Sequence, residues 1–120
     1  MTADEPEEVG GNDFGPTPYQ FLASSLAACT AMTLRMYANR KEMDVTEIKV
    51  HVSHSRRYSD DAAHDDQTDA RIDHFERMIE IEGDISDQQR QRMIEIANKC
   101  PVHKTLEGHI EISTALANEK

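Results

Sequence analysis

Hydrophobic positions change period along the chain, and each change marks an element. Over residues 19–40 apolar or small side chains recur every three or four positions: Leu22, Ser25, Leu26, Cys29, Thr33, Met36 and Tyr37. That is the period of an α-helix. Thr17 stands ready as its cap, with Pro18 in the first helical position. Ala23, Ser24, Ala27, Ala28 and Ala31 flank the stripe, so another backbone can approach closely. Cys29 falls mid-helix, on the face predicted to be buried. The period then drops to two. Ile48, Val50 and Val52 alternate with Lys49, His51 and Ser53, which predicts a strand with one wet face. A second alternation over 71–82 sets Phe75, Ile79 and Ile81 inward and Glu76, Glu80 and Glu82 outward, and Gly83 with Asp84 ends it. The Asp-rich stretch 60–69 between them reads as a loop.

Helical spacing returns after Ser86. Gln89 stands three residues on, the signature of a capping box. Met93, Ile94, Ala97 and Cys100 form the apolar stripe. Pro101 cannot extend that helix but can begin a new turn, so Cys100 sits at a break between two helical pieces. Residues 109–114 alternate once more, with Ile110 and Ile112 on one face of a predicted last strand. Residues 1–15 are polar and acidic, with turn signals at Gly10-Gly11 and Asn12-Asp13. They read as a surface loop ahead of one domain spanning 16–120. The order of helix, two strands, helix and strand is that of an α+β fold, not of βαβ winding.

Composition narrows this picture. The 120-residue chain is 38% hydrophobic and 5% aromatic, with six Met and no Trp. Such a core leaves little surplus stability, and folds of this kind recover it by pairing subunits, so a homodimer is predicted. Asp and Glu outnumber Lys and Arg by 23 to 13, for a net charge of −10. A surface that negative repels phosphate backbones and anionic lipid alike. No nucleic acid or membrane partner is therefore expected. No apolar run approaches the roughly 20 residues that span a bilayer. The N-terminus lacks the basic-then-apolar layout of a secretory signal. The expected compartment is the cytoplasm.

The remaining chemistry lies in two cysteines far apart in sequence. A reducing compartment disfavours a permanent bridge between them and leaves two readings open: a transient catalytic bridge, or two unrelated buried thiols. Spacing does not decide whether the sulfurs meet. His103, three residues after Cys100, suggests a metal pair, but zinc sites show two close ligand pairs and this sequence shows one. His51 and His54 lie on opposite faces of a strand. The acidic run at 60–69 lacks the ordered spacing of a calcium loop. Met32, Met36, Met78 and Met93 read as core filling. No metal and no cofactor is predicted.

Two longer motifs go further. The stretch GGNDFGPTPYQFLASSLAACTAMTLRMYANRK, followed by NKCPVHKTLEG, resembles the OsmC/Ohr family of thiol-dependent hydroperoxide reductases, over about residues 10–116. The resemblance implies an intertwined α+β homodimer, with a long central helix and a second helix packed on an antiparallel sheet. It implies that Cys29 attacks an organic hydroperoxide and becomes a sulfenic acid, which Cys100 resolves as a disulfide. A small dithiol then restores the pair. Peroxidase members of the family assist the attacking sulfur with an Arg from an N-terminal hairpin and a Glu ten residues before the cysteine. Tyr19 stands at that Glu position here, beside Gln20 where its own branch carries an acid, so both are candidate substrate-binding residues. No Arg or Lys precedes Arg35. Arg35 lies six positions past Cys29 and points elsewhere on an ideal helix, into solvent or a subunit interface. The alternative reading is an OsmC-like redox-sensing or hydrophobic-ligand-binding domain that lacks the activating Arg and Glu.

Overall fold

The computed structural model describes residues 1–58 and 71–118; the acidic stretch 60–69 lies outside them. A short 3₁₀ turn, Glu7–Val9, interrupts the N-terminal segment. The Asp4 carboxylate gathers this segment by accepting the backbone N–H groups of Glu5, Asn12 and Phe14 at 2.8, 3.0 and 3.2 Å. Those donors, Phe14 foremost, hold its pKa below the usual carboxylate range.

Helix α1 (Pro18–Arg40) starts where the sequence predicts. Thr17 caps it, with a reciprocal bond from the Thr17 N–H to Gln20 Oε1 at 2.7 Å and from the Gln20 N–H to Thr17 Oγ1 at 3.1 Å. Strands β1 (Val45–Tyr58) and β2 (Arg71–Gly83) pair antiparallel, from Val45 opposite Gly83 to Tyr58 opposite Arg71. Helix α2 (Asp87–Ala97) begins at the Ser86–Gln89 capping box, and α3 (Pro101–Glu107) begins at Pro101, with Cys100 at its cap. Arg90 clamps the turn between β2 and α2, its guanidinium donating to the Ile85 and Gly83 carbonyls at 2.8 and 3.1 Å.

The buried stripe of α1 is Ala23, Leu26, Thr30, Leu34 and Ala38, rotated from the predicted one. Leu22 and Met36 are exposed and Cys29 is half-buried. The reason is packing distance. Alanines and a threonine let the sheet come close to the helix, whereas hydrophobicity alone favours the larger Leu and Met. Similarly, Ile96 rather than Ile94 is the buried isoleucine of α2. The core joins Leu34 and Ala38 of α1 to Met93, Ile96 and Ala97 of α2 and to Val45, with Ile48, Ile79 and Ile81 packed on it.

The predicted last strand is not formed: residues 109–116 carry no regular structure, and Ile110 and Ile112 are exposed. A strand needs a neighbour for its backbone groups, and among the described residues β1 and β2 pair only with each other.

Gly83 closes β2 at φ +152°, and a Cβ there would lie 2.1 Å from the Asp44 carbonyl oxygen. Gly83→Ala is expected to destabilise the fold by about 1–3 kcal/mol. A lower urea midpoint with unchanged m-value measures this.

Candidate active site

The site is built where α1 meets the junction of α2 and α3. Cys29 lies in mid-α1, and Cys100 is placed by the break that Pro101 imposes. Both are free thiols; Cys29 is half-buried and Cys100 fully buried. The fold brings them close enough for each thiol to shift the ionisation of the other. Sequence separation hides this approach, because it depends on how α2 crosses α1.

Their surroundings differ. Around Cys29, burial pushes the thiol pKa up and the neighbouring Cys100 pushes it further. The Val102 N–H and the Thr33 hydroxyl, which donate to its sulfur, offset only part of this. Burial also opposes ionisation of Cys100. The nearby Cys29 thiol, His103 N–H, Thr30 hydroxyl and Val102 N–H outweigh it and hold the Cys100 thiol below its ordinary value. The two thiols are thus pushed in opposite directions, Cys100 toward ionisation and Cys29 away from it.

Thr30, Thr33 and the first N–H groups of α3 are the site groups that sequence reasoning missed. Thr33 follows Cys29 by four positions and so shares its face, whereas Thr30, one position on, belongs to the buried stripe. The signal was present but unremarked. Arg77 was missed too. It occupies an inward position of β2 between Phe75 and Ile79 and opposite Val52. Its Nη1 donates to Thr30 Oγ1 at 3.1 Å and to the Ala97 carbonyl at 3.3 Å, and its Nη2 to Asn98 Oδ1 at 3.0 Å.

Tyr19 and Gln20 lie elsewhere. At about 1.5 Å rise per residue they stand roughly 15 Å before Cys29 along α1. Gln20 is engaged in the helix cap. Tyr19 stacks on His54, with ring centroids 4.4 Å apart, and its hydroxyl accepts from Arg56 at 2.6 Å. His54 bonds Asp73 at 2.9 Å. Tyr19, Gln20, Thr17 and His54 line a cleft of about 390 Å³. Arg35 turns away from the cysteines and donates to the Val45 carbonyl at 2.9 Å.

A second cleft, of about 550 Å³, is bordered by Thr33 and Pro101, near neighbours of the cysteines in sequence, with neither cysteine in its lining. Met36, Tyr37 and Ile96 give it an apolar wall, and Arg92 and Lys99 are among the cations on it. His103 bonds Glu107 at 3.0 Å. Among the described residues no three His, Cys, Asp or Glu side chains group as metal ligands do, and no helix is long and apolar enough to cross a membrane.

A family model described as OsmC-like protein matches residues 10–115. Among solved structures, an organic hydroperoxide resistance protein OsmC from Legionella pneumophila superposes with a TM-score of 0.68 at 19% identity, covering 88% of this chain and 72% of its own. An organic hydroperoxide resistance protein from Elizabethkingia anophelis gives 0.66 at 22%, covering 89% and 72%. An OsmC-like protein from Mycoplasma pneumoniae gives 0.65 at 24%, covering 87% and 69%. At these identities the likeness is one of fold. No curated protein matches the chain.

Proposed function

The chain belongs to the OsmC-like protein family, and from that premise we propose that it reduces organic hydroperoxides through Cys29 and Cys100. One observation carries the reading: two free thiols brought close enough to shift each other's ionisation, one half-buried and the other fully buried. The half-buried sulfur meets substrate and the buried one serves it.

Cys100, as the thiolate, first takes the proton of its neighbour Cys29. The Cys29 thiolate then attacks the outer peroxide oxygen. The O–O bond breaks, an S–O bond forms, and the departing alkoxide gains a proton to leave as the alcohol. The Cys100 sulfur next attacks the sulfur of the Cys29 sulfenic acid and expels water, closing the disulfide. Two electrons have passed from the thiols to the peroxide. A small dithiol returns them by exchange through a mixed disulfide. The apolar wall of Met36, Tyr37 and Ile96 suits an alkyl or aryl peroxide better than hydrogen peroxide. In this reading Tyr19 and Gln20 contact the far end of a long substrate from their own cleft.

The working unit is residues 16–120, in a cytoplasmic setting, as a homodimer. Two features support the dimer. Met32 and Met36 leave an apolar strip on α1 at 65% and 70% exposure, and the alternating tail at 109–114 lacks a strand to join. A second copy supplies cover for the first and a partner for the second.

The test is stoichiometry. Reduced protein mixed with cumene hydroperoxide is expected to lose two thiols per chain and to yield a Cys29–Cys100 peptide on mapping. Intact thiols after the peroxide challenge would reject the reading in favour of a ligand-binding domain. Bridge formation without turnover in the presence of dithiol would favour a redox sensor.

A further inference from the structure

Arg77 leaves part of its guanidinium unspent, and that part belongs to a cavity that neither cysteine lines. Its Nη1 donates to Thr30 Oγ1 and to the Ala97 carbonyl, and its Nη2 to Asn98 Oδ1. A guanidinium carries five N–H donors, so these bonds leave the Nε–H and one N–H of Nη2. Those two nitrogens share one edge of the planar group, the fork that takes a carboxylate by two parallel hydrogen bonds. All three acceptors are uncharged. Among the described residues no carboxylate lies within ion-pair distance of Arg77. A half-buried cation without an anion is costly.

The cavity holds about 210 Å³ between α1, β2 and α3. At about 30 Å³ per water in the liquid, that is room for a molecule of several carbons rather than for a bare ion. Its walls are of two kinds. Leu26 of α1, Phe75 of β2 and Leu106 of α3 make an apolar side, and Arg77 and His74 bring donors from β2. The His74 Nδ1 lies 2.9 Å from Arg57 Nη2. Arginine only donates, so Nδ1 accepts and the proton of the neutral ring sits on Nε2. Two carboxylates also border the cavity, and both are taken. Asp73 is within ion-pair distance of His54, Arg56 and Arg71, and Glu107 of His103.

We propose that this cavity binds a small apolar acid, an aryl or short alkyl carboxylate, with its two oxygens on Arg77 and its hydrocarbon against Leu26, Phe75 and Leu106. The walls select that class. Inorganic phosphate would use the fork but gain nothing from three apolar side chains. A neutral hydrocarbon would leave the cation unpaired. The site goes beyond the peroxidase reading and does not depend on it, because no sulfur takes part.

The experiment titrates the reduced full chain with sodium benzoate and follows the Arg77 side-chain Nε–H in proton–nitrogen spectra, with circular dichroism to confirm folding of each variant. That signal is assigned by its loss in Arg77→Met. In wild type it is expected to move downfield and saturate at about millimolar benzoate. Backbone amides of 74–77 and 103–107 read the variants. Arg77→Met is expected to weaken benzoate by about tenfold or more. Arg77→Lys is expected to lose nearly as much, since an ammonium keeps the charge and lacks the fork. Benzamide, with the same ring and no charge, and inorganic phosphate are each expected to bind at least about tenfold more weakly than benzoate. Leu106→Glu sets a rival carboxylate in the cavity, leaves the three partners of Arg77 in place, and is expected to abolish binding. An unmoved Arg77 Nε–H overturns the proposal, and so does benzoate affinity kept in folded Arg77→Met. Benzamide binding as well as benzoate marks an apolar pocket only, and phosphate binding as well marks a general anion site; either result overturns the carboxylate assignment. Should the Arg77 variants not fold, the wild-type signal and Leu106→Glu decide. No peroxide is added, so this site and the peroxidase reading fail separately.

Discussion

Cys29→Ser is expected to cut cumene hydroperoxide turnover by more than about a thousandfold, and Cys100→Ser to stop the reaction after one turnover. The asymmetry comes from exposure. Cys29 is half-buried, whereas Cys100 is fully enclosed, so peroxide meets only the first. A serine hydroxyl at position 29 stays protonated at neutral pH and does not attack an O–O bond. With Cys100→Ser the attack still proceeds, but the sulfenic acid finds no second sulfur. It should accumulate as a dimedone adduct on Cys29 and pass to sulfinic acid under excess peroxide. The Cys100→Ser attack is also expected to be slower than in wild type, because the group that accepts the Cys29 proton has become a hydroxyl. Peroxide assays and intact-mass measurement read both variants. Wild-type turnover in Cys29→Ser would sink the assignment of the attacking sulfur.

The elements of the fold were legible because their signals are local. The Thr17-Pro18 start, the Ser86–Gln89 cap and the alternation across β1 and β2 each depend on a few neighbouring residues, and each appears in the structure. What failed was the rotation of α1. The buried stripe keeps Leu26 and adds Leu34, but its other members, Ala23, Thr30 and Ala38, are small and carry no hydrophobic peak. The tail at 109–114 has the right alternation and, among the described residues, no strand beside it, and pattern alone does not create a partner.

The site was half legible. The motifs around Cys29 and Cys100 pointed to a pair, and the contact depends on the crossing of α1 with the α2–α3 junction. The electrostatics were less visible. Reasoning from the N-terminal half found no cation ahead of Arg35 and concluded that assistance to the thiols was missing. The structure holds a half-buried guanidinium, that of Arg77, on the hydroxyl of Thr30, the residue after Cys29, brought there by β2. An arginine in line with Phe75, Ile79 and Ile81 was the available clue. A charge on the apolar face of a strand seldom lies there without a partner.

Met93→Ala is expected to lower the unfolding free energy by about 2–5 kcal/mol, a large share of the roughly 5–15 kcal/mol that holds a domain together. Met93 is fully buried, and its cluster includes Leu34, Ala38, Val45, Ile96 and Ala97. The alanines on both helices leave little side chain to swing into the hole, so the value should fall in the upper part of that range. The loss should reach the site as well, since α2 carries Cys100 at its end and sets the contact with Cys29. Peroxide-driven closure of the disulfide should therefore slow in a variant altered at neither thiol. Met32→Ala is the contrast. The same atoms are removed from a side chain at 65% exposure, and for a lone chain the change should stay within about 0.5 kcal/mol. Urea unfolding followed at two protein concentrations separates the cases. A Met93→Ala midpoint close to wild type would refute the core described here. A Met32→Ala loss comparable to that of Met93→Ala, growing with dilution of the variant, would place that face of α1 against a second copy.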